Sequence, residues 1–471
     1  MRQPSRILIA LVVLAGLLPA LAHATPATLR VDLQHGGDAH GEHYALERVV
    51  VEPLPWAGNP ERPIDDSNRG VNLFEVFDAA SGKLLYSRGY STVFGEWRTT
   101  EQAASQPRSF QESLRFPMPD QPVRLRVSAR DAGNRFAPVW ETTVDPKALD
   151  IERVARPAPA TPIAIHRSGP SPQKVDLLLL GDGYAADELD KFEADARRLV
   201  VHLFTVSPFK ERAGDFNVWA LTVPVPVSGI TRPSTDTHRA SALGVRYDIF
   251  GSERYALTLD NRAWRELAQY APYDVVQILF NSETYGGGGI FGQFSTVAAD
   301  NDWANYLFVH EFGHHFAGLA DEYYTSPVAY AAAATTRIEP WEPNVTALLD
   351  PARLKWQASP ATPLPTPWPK AGFEAFQREN QARRAKLREQ RRPESEMSAL
   401  FSAEQRHVEA LFDGKPHAHA IGAFEGANYE ATGYYRPQLQ CLMFTRSEAF
   451  CHVCQDGIEA IIDLYSRGAT P

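Results

Sequence analysis

The stretch His310-Glu311-Phe312-Gly313-His314 decides the fold predicted for this chain of 471 residues, because it is typical of a helix that carries a metal site. On a helix, two histidines at this spacing project from the same face. Their neutral imidazoles can hold one tetrahedral Zn²⁺ at roughly 2.0–2.1 Å each. Glu311 then lies beside the open position, where zinc lowers the pKa of a bound water to about 7. The motif predicts zinc-dependent hydrolysis with His310 and His314 as ligands and Glu311 as general base.

The flanking residues predict a buried helix that follows a glycine-rich strand. Ile290 to Ala299 has the apolar and β-branched composition of a short strand. Asp300 or Asp302 is expected to cap the helix, and Gly318 is expected to end it. The segment from Gly286 to Thr296 is expected to form a cleft edge on which a peptide lies as an added strand.

Two carboxylates after the helix are candidates for a third protein ligand. In zinc peptidases with an extended motif, a turn after the second histidine brings another ligand back to the metal. Asp321 and Glu322 follow the turn expected at Gly318, and a carboxylate is a good zinc ligand. Asp321 is the predicted ligand and Glu322 is the alternative. A role for both acids in capping a loop or pairing with arginine also stays open.

The run HEFGHHFAGLADEYY from His310 to Tyr324 resembles the IgA-peptidase metalloendopeptidase family, metallopeptidase family sixty-four, one of the metzincin-like zinc peptidases. The resemblance spans nearly the whole mature chain. It includes Leu177 to Tyr184, which is similar to the strand and turn that open the family's catalytic domain. The resemblance implies a zinc ion held by His310, His314 and Asp321. It also implies that Met443 lies on a methionine turn, an apolar floor beneath the zinc.

The motif departs from the usual metzincin spacing by one residue. The usual glycine and third-ligand positions are Ala317 and Ala320 here, whereas Gly318 and Asp321 come one residue later.

A second departure concerns the group that stabilises the oxyanion. Several metzincins have a tyrosine two residues after the methionine, and this chain has Thr445 there. His452, Tyr434 and Tyr323 are therefore the candidates for this role.

Composition and charge favour a folded enzyme over a nucleic-acid-binding protein. The chain is 44% hydrophobic and 11% aromatic, which is ordinary for folded domains, and it is long enough for two or three of them. A formal net charge of -10 provides no basic footprint for nucleic acid. The expected partner is a protein or peptide substrate, and the oligomeric state is not predicted.

Residues 1–24 predict an export signal, and the mature protein is expected to begin at Thr25. Arg2 and Arg6 flank the start, Ile7 to Leu18 is apolar, and Ala22-His23-Ala24 fits signal-peptidase cleavage. The apolar run is short for a spanning helix, and no later segment is apolar enough to span a bilayer. The expected location is secreted or periplasmic, without a membrane anchor.

All 3 cysteines lie near the end of the chain, at Cys441, Cys451 and Cys454. Because no cysteine precedes Cys441, a lipoprotein anchor is excluded. In an exported protein we expect a disulfide that joins Cys441 to Cys451 or Cys454. Half of a zinc site or a redox pair is the alternative, but a structural zinc needs a fourth ligand, and the chain has no second cysteine pair.

The predicted fold class is α+β, with two domains. Residues 25–153 predict an N-terminal β-sandwich-like domain, because short strands alternate with turn residues. A proline-rich linker, 154–173, precedes a metzincin-like zincin catalytic domain, 174–471, with a mixed sheet and an active-site helix. Within it, 368–414 predicts a charged helical insertion that is either solvated or a lid near the cleft. The N-terminal domain is expected to bind glycan or protein, or to be a structural cover.

The N-terminal domain contains a loose cluster of three histidines that could bind a metal ion. His35, His40 and His43 are expected to be solvated loop residues rather than ligands.

The residues together favour a secreted zinc endopeptidase. The alternatives are a secreted adhesin or glycan-binding protein that keeps an inactive metalloprotease fold, and a zinc hydrolase that acts on a non-peptide bond. The intact Glu311 argues against an inactive fold, because a scaffold needs the histidines but not the base.

Overall fold

The computed structural model describes residues 25–154, 157–326 and 337–466 of the chain. The predicted signal peptide, 1–24, lies outside the described residues. The described residues form seven α-helices and eighteen strands, which confirms the predicted α+β class. None of the described helices is long and apolar enough to cross a lipid bilayer.

The first eight strands are β1 (Ala27–Gly37), β2 (Glu42–Pro55), β3 (Asn72–Asp78), β4 (Leu84–Tyr90), β5 (Arg108–Pro117), β6 (Val123–Arg130), β7 (Phe136–Val144) and β8 (Glu152–Arg153). They form two four-stranded sheets in the orders β5-β1-β2-β8 and β4-β3-β6-β7. Every pair is antiparallel except β2 with β8. Alternate residues such as Leu29, Val31, Leu125 and Val127 enter one apolar core shared by the two sheets, as in a β-sandwich.

The prediction of a solvated loop at His35 is wrong. His35 lies on β1 with 1% of its surface exposed, its ring stacked on Tyr44. Its Nδ1 lies 2.6 Å from Glu112 and its Nε2 2.9 Å from Glu42. Burial lowers the pKa of His35, but the two carboxylates outweigh burial and raise it to about 9. His35 is therefore a buried cation held between two acids.

The remaining strands are β9 (Ile163–His166), β10 (Val175–Asp182), β11 (Phe216–Thr222), β12 (Val245–Arg246), β13 (Leu257–Thr258), β14 (Val275–Phe280), β15 (Gly287–Ile290), β16 (Phe294–Ala298), β17 (Phe424–Ala427) and β18 (Glu430–Arg436). Six of them form one sheet in the order β15-β16-β14-β10-β11-β9. The four inner strands are parallel, and each edge strand is antiparallel to its neighbour. The predicted mixed sheet is confirmed.

The helices are α1 (Val93–Arg98), α2 (Leu189–Leu203), α3 (Asn261–Ala268), α4 (Ala304–Ala317), α5 (Lys370–Glu389), α6 (Glu394–Phe412) and α7 (His452–Tyr465). Successive residues of β10 enter opposite apolar cores, Leu177 and Leu179 on one side and Leu178 and Leu180 on the other. Because both faces are buried, the strand is continuously apolar rather than alternating. The helices α2, α4 and α7 cover the first face, and α3 lies on the second.

The region predicted as a charged insertion folds into two helices, α5 and α6, that pack against each other. It is only partly solvated. Phe373, Phe401 and Phe412 are buried in the same core as α4, and Gln377 donates a 2.8 Å hydrogen bond to buried Glu404. The sequence of α5 contains too few large apolar side chains to predict this packing.

Two local predictions near α4 need correction. The single strand predicted at Ile290 to Ala299 is an antiparallel hairpin of β15 and β16, because the preceding glycines themselves pair as a strand. No aspartate caps α4. Instead, the side chain of Asn301 accepts a 2.9 Å hydrogen bond from Trp303 N, which satisfies one amide at the start of the helix.

Candidate metal centre

The helix α4 is built so that two histidines face the same side. It is almost wholly buried and ends at Gly318, as predicted, where a left-handed φ of 60° allows the chain to turn back. A third histidine, His315, faces the sheet instead. Its Nδ1 lies 3.1 Å from Ile290 O, and its Nε2 accepts from Val276 N at 3.2 Å. Burial lowers the pKa of His315 to about 4, so it is a neutral structural residue.

His310, His314 and Asp321 converge on one point. The two Nε2 atoms lie 3.2 Å apart, and Asp321 Oδ1 lies 3.1 Å from that of His310 and 3.2 Å from that of His314. Ligands at zinc distances around a tetrahedral ion lie about 3.4 Å from one another. The three atoms form a triangle of nearly the size that one zinc ion needs.

Backbone carbonyls orient both imidazoles. His314 Nδ1 lies 2.6 Å from Leu319 O, and His310 Nδ1 lies 3.3 Å from Leu442 O. A carbonyl oxygen only accepts, so each Nδ1 donates, and each Nε2 is the ring atom left to bind a cation at the common point.

Asp321 is held by a tyrosine far along the chain. Tyr429 donates a 2.5 Å hydrogen bond to Asp321 Oδ2, which leaves Oδ1 aimed at the histidines. Oδ1 is buried and has no hydrogen-bond partner among the described residues. A buried carboxylate oxygen in this position needs a cation, so the residues present fit a metal ion.

The electrostatics of the cluster also favour a positive charge at its centre. Burial raises the pKa of Asp321, but His314 and His310 outweigh it and hold that pKa well below its usual range. Burial lowers the pKa of His314, but Asp321 raises it to about 9. The field that stabilises a proton between these groups stabilises a metal cation at the same place.

Glu311 lies beside the three convergent residues, under the glycine strand. It is 9% exposed, and burial raises the pKa of its carboxyl group against the lowering effect of His310 and His314. A Cβ on Gly287 would lie 3.2 Å from Glu311 Cγ, and one on Gly289 would lie 2.6 Å from Glu311 O. Glycine is required here because any side chain would force β15 away from α4.

A cleft of about 520 Å³ opens over these residues. Its walls come from both halves of the chain, since Ser91, Glu96 and Thr99 line it together with the glycines of β15. The remaining wall includes Arg254, Tyr255, Tyr323, Trp341, Glu342, Tyr429 and Glu430. The cleft is large enough for several residues of a peptide.

Among the three residues predicted to stabilise an oxyanion, only Tyr323 lines this cleft. Its hydroxyl accepts a 3.1 Å hydrogen bond from Arg254. His452 is exposed at the start of α7, and Tyr434 packs in a small cluster with Ala320 and Val345. The structure therefore reduces the sequence candidates to one.

Met443 lies under α4 and is fully buried. Gly313 lies between the two histidines in sequence, and a Cβ added to it would lie 3.2 Å from Met443 Sδ. Gly313 thus permits a close approach of the methionine to the helix that carries the site.

Glu322 does not face the histidines. Its carboxylate points into a second cluster with Cys441, Cys451 and Cys454, whose ligand atoms all lie within 4.8 Å of one another. Adjacent residues on the extended segment after Gly318 thus project to opposite sides, which separates Asp321 from Glu322.

The predicted disulfide is wrong. All three cysteines are free, and the Sγ atoms of Cys441 and Cys454 lie 3.6 Å apart, far beyond the roughly 2.05 Å of a disulfide bond. The sulfurs surround the Glu322 carboxylate instead of bonding in a pair.

Sequence inspection missed Arg254, Tyr429 and the position of Glu322. The first two lie in loops with no motif, and Tyr429 is 108 residues from the aspartate it contacts. Its backbone φ of 64°, unusual for tyrosine, is visible only in the structure.

Comparison with protein-family models matches most of the chain to a known family. Residues 163–462 match the model for IgA Peptidase M64, and residues 22–141 match that for Peptidase M64 N-terminus. A comparison with curated protein sequences found no match.

Proposed function

Because the chain belongs to the IgA Peptidase M64 family, we propose that this peptidase is a zinc-dependent endopeptidase. The observation that carries the proposal is the convergence of His310, His314 and Asp321 on one point, with Glu311 beside it. Two imidazoles and one carboxylate, with a fourth position open to a cleft, are the donor set of a catalytic zinc site. Protein or peptide substrates follow from the family.

The residues of the chain then have distinct roles. When bound, zinc would supply a Lewis acid that acidifies water and polarises the scissile carbonyl. Glu311 takes the proton from the attacking water and delivers it to the leaving amine. Its buried position suits proton uptake, because burial raises the pKa of its carboxyl group. Leu319 O, Leu442 O and Tyr429 hold the ligands in place.

Tyr323 is our candidate for oxyanion stabilisation. Tyr323 lines the cleft, where its hydroxyl accepts from Arg254 and donates to Asp321, so this role requires that proton to pass from Asp321 to the substrate oxygen. The nearby guanidinium strengthens this donor electrostatically. The pair takes the place of the tyrosine that many metzincins have after the methionine.

An extended peptide would lie along β15. The strand is the last of its sheet, its glycines line the cleft, and it runs beside α4 at Glu311. Gly287 already pairs with Arg254 and Ala256, so a peptide would pair with the strand beyond Gly287. Backbone pairing with an edge strand would place a scissile bond over the metal ligands with little dependence on substrate sequence. The metzincin-like fold with Met443 as floor, and export by residues 1–24, belong to the same proposal.

Digestion of casein and of a peptide library tests the proposal. We expect cleavage within chains, loss of cleavage after treatment with a chelator, and recovery on addition of stoichiometric zinc. Cleavage that persists in metal-free protein would refute the zinc mechanism. A zinc-loaded protein that cleaves no peptide but binds glycan or cell surfaces would favour the adhesin alternative, and cleavage of an ester alone would favour a non-peptide hydrolase.

A further inference from the structure

A second cluster of metal-binding side chains lies behind the first, in the core between α4 and α7. It consists of the carboxylate of Glu322 and the thiols of Cys441, Cys451 and Cys454, all of them buried. We propose that these four residues bind a second zinc ion, which is structural and distinct from the ion at the histidines.

The distances fit one tetrahedral ion. Cys441 Sγ and Cys454 Sγ lie 3.6 Å apart, and Glu322 Oε1 lies 3.3 Å from Cys454 Sγ and 3.8 Å from Cys451 Sγ. Around a zinc ion with sulfur ligands at about 2.3 Å, sulfurs lie about 3.8 Å apart and sulfur and oxygen about 3.5 Å apart. Four protein ligands with no open position are typical of structural rather than catalytic zinc.

Backbone amides around Cys441 favour its thiolate form. Cys451 N lies 3.2 Å and Met443 N 3.5 Å from Cys441 Sγ, and both donate to it. Amide hydrogen bonds to a ligand sulfur are the outer contacts that orient metal ligands and stabilise their charge. A disulfide or a neutral thiol would not require two such donors.

The Glu322 carboxylate also needs a cation at this place. It is fully buried, and its Oε2 has no hydrogen-bond partner among the described residues. The buried guanidinium of Arg436 is near, but its Nη1 donates to the carbonyls of Gly426 and Glu425, and its Nε and Nη2 make no hydrogen bond to Glu322. When ionised as zinc ligands, the three thiolates and the carboxylate would carry four negative charges, of which Arg436 offsets one. A divalent cation offsets two more, and soft sulfur ligands select zinc over magnesium or calcium.

The second ion would stabilise the catalytic site. Glu322 directly follows Asp321, and its amide donates to Met443 O at 2.9 Å. Cys441 directly precedes Leu442, whose carbonyl lies 3.3 Å from His310 Nδ1. The ion would therefore join the loop of the third catalytic ligand, the segment under the active-site helix and the start of α7, a role that sequence analysis had given to a disulfide.

Metal binding to a chain that lacks the first site tests the second one. In the double variant His310→Ala, His314→Ala, purified under reducing conditions and depleted of metal, we expect one equivalent of Zn²⁺ to bind. Co²⁺ in its place should give the near-ultraviolet absorption of thiolate-to-cobalt charge transfer and the visible bands of a tetrahedral ion. The wild-type chain should bind two equivalents of zinc. These readouts do not depend on peptidase activity.

Ligand variants assign the site. Glu322→Gln should weaken the second zinc by more than the roughly 10–100-fold typical of a lost outer contact. Cys454→Ser should lower the affinity of the second site for zinc and reduce the intensity of the cobalt–thiolate absorption. Glu404→Gln is the matched control, because Glu404 is also a buried glutamate but contacts Gln377 and Arg446, and it should keep both equivalents.

Two results would overturn the proposal. One is a folded double variant that binds no Zn²⁺ while its three cysteines are reduced. The other is cobalt bound without charge-transfer absorption. Both are independent of whether the first site is catalytic, since failure of that proposal appears as a zinc-loaded wild-type chain without peptidase activity.

Discussion

At the scale of single residues, the chemistry depends on which side of a short segment each acid faces. Asp321 and Glu322 are neighbours in sequence, but one contacts the histidines and the other the cysteines. Alternation along an extended backbone produces this division, and each carboxylate then acquires its function from the donors around it.

Glu311→Gln should keep the metal and lose activity. The amide has the shape of the carboxylate but cannot take up a proton, and general base catalysis contributes roughly 10²-fold or more. Turnover of a peptide substrate should fall by at least that factor, with zinc content unchanged by elemental analysis. Near-normal turnover in a zinc-loaded variant would exclude Glu311 as the base.

Tyr429→Phe should weaken metal binding at the first site without removing a ligand. The lost hydroxyl no longer holds Asp321 Oδ2, so Oδ1 is less firmly oriented towards the histidines. Zinc affinity measured by competition with a chelator should fall roughly 10–100-fold, as for other outer contacts. Tyr434→Phe removes a hydroxyl outside the cleft and should leave the affinity unchanged.

His35 makes the stability of the N-terminal sandwich depend on pH. Its folded-state pKa of about 9 exceeds the ordinary value of 6.5, mainly through Glu112 and against the effect of burial. A raised pKa contributes full stability below about pH 6.5, and this stability is lost as pH rises through about 9. The contribution is on the order of 3 kcal/mol.

Urea denaturation followed by near-ultraviolet circular dichroism checks this dependence. Between about pH 6 and pH 10, the wild-type midpoint should fall more than that of His35→Gln, which cannot be protonated. His238→Gln changes an exposed histidine and should retain the wild-type slope. Equal slopes in the wild type and His35→Gln would contradict the assignment.

At the scale of elements, the active site depends on how closely β15 approaches α4. Three of its four residues are glycines, and at Gly287 and Gly289 a Cβ would meet atoms of the helix. Close contact brings the edge of the sheet to Glu311 and the two histidines, while the outer side of the strand at Gly287 pairs with Arg254 and Ala256.

Gly289→Ala should separate the two elements. The new Cβ would lie 2.6 Å from Glu311 O and 2.9 Å from His314 Cβ, so either β15 or α4 must move. Overpacking of this kind costs about 1–3 kcal/mol. We expect a lower melting temperature and lower peptidase activity. Gly214→Ala is the control, because nothing lies within 4 Å of its Cβ position and its stability should not fall.

At the scale of the whole molecule, the N-terminal sandwich is joined to the active-site helix by a buried arginine. Arg69 Nη1 donates to Ala317 O at 2.6 Å, at the end of α4, and to Gly457 O at 2.8 Å in α7. A cation at a helix C-terminus is stabilising. Residues of the sandwich also line the cleft. The N-terminal part thus contributes residues to the wall of the cleft.

Arg69→Met should lower the stability of the peptidase part. It removes the donor to two buried carbonyls, which costs about 1–3 kcal/mol. The melting temperature, measured from the loss of the near-ultraviolet circular-dichroism signal, should fall. Arg135→Met changes an exposed side chain and should leave the melting temperature unchanged. If truncation after residue 153 yields a stable and more active peptidase, the N-terminal part is an inhibitory cover instead.

The sequence alone determined the features that depend on short spacing. Two histidines four positions apart share a helix face wherever the helix lies, so two of the three convergent residues, His310 and His314, were predictable from their spacing. The continuous apolar run of β10 and the glycine after α4 likewise predicted a buried strand and a helix end. These patterns reflect local backbone geometry, which a chain carries without its tertiary contacts.

Only the tertiary structure decided which distant residues complete each site. Tyr429 reaches Asp321 across 108 positions, and Cys454 reaches Glu322 across 132. Sequence analysis paired the cysteines with one another because no pattern in it places a glutamate among them. Such contacts depend on how the strands and helices pack together, and the packing of many apolar side chains, rather than any local motif, sets the position of each loop.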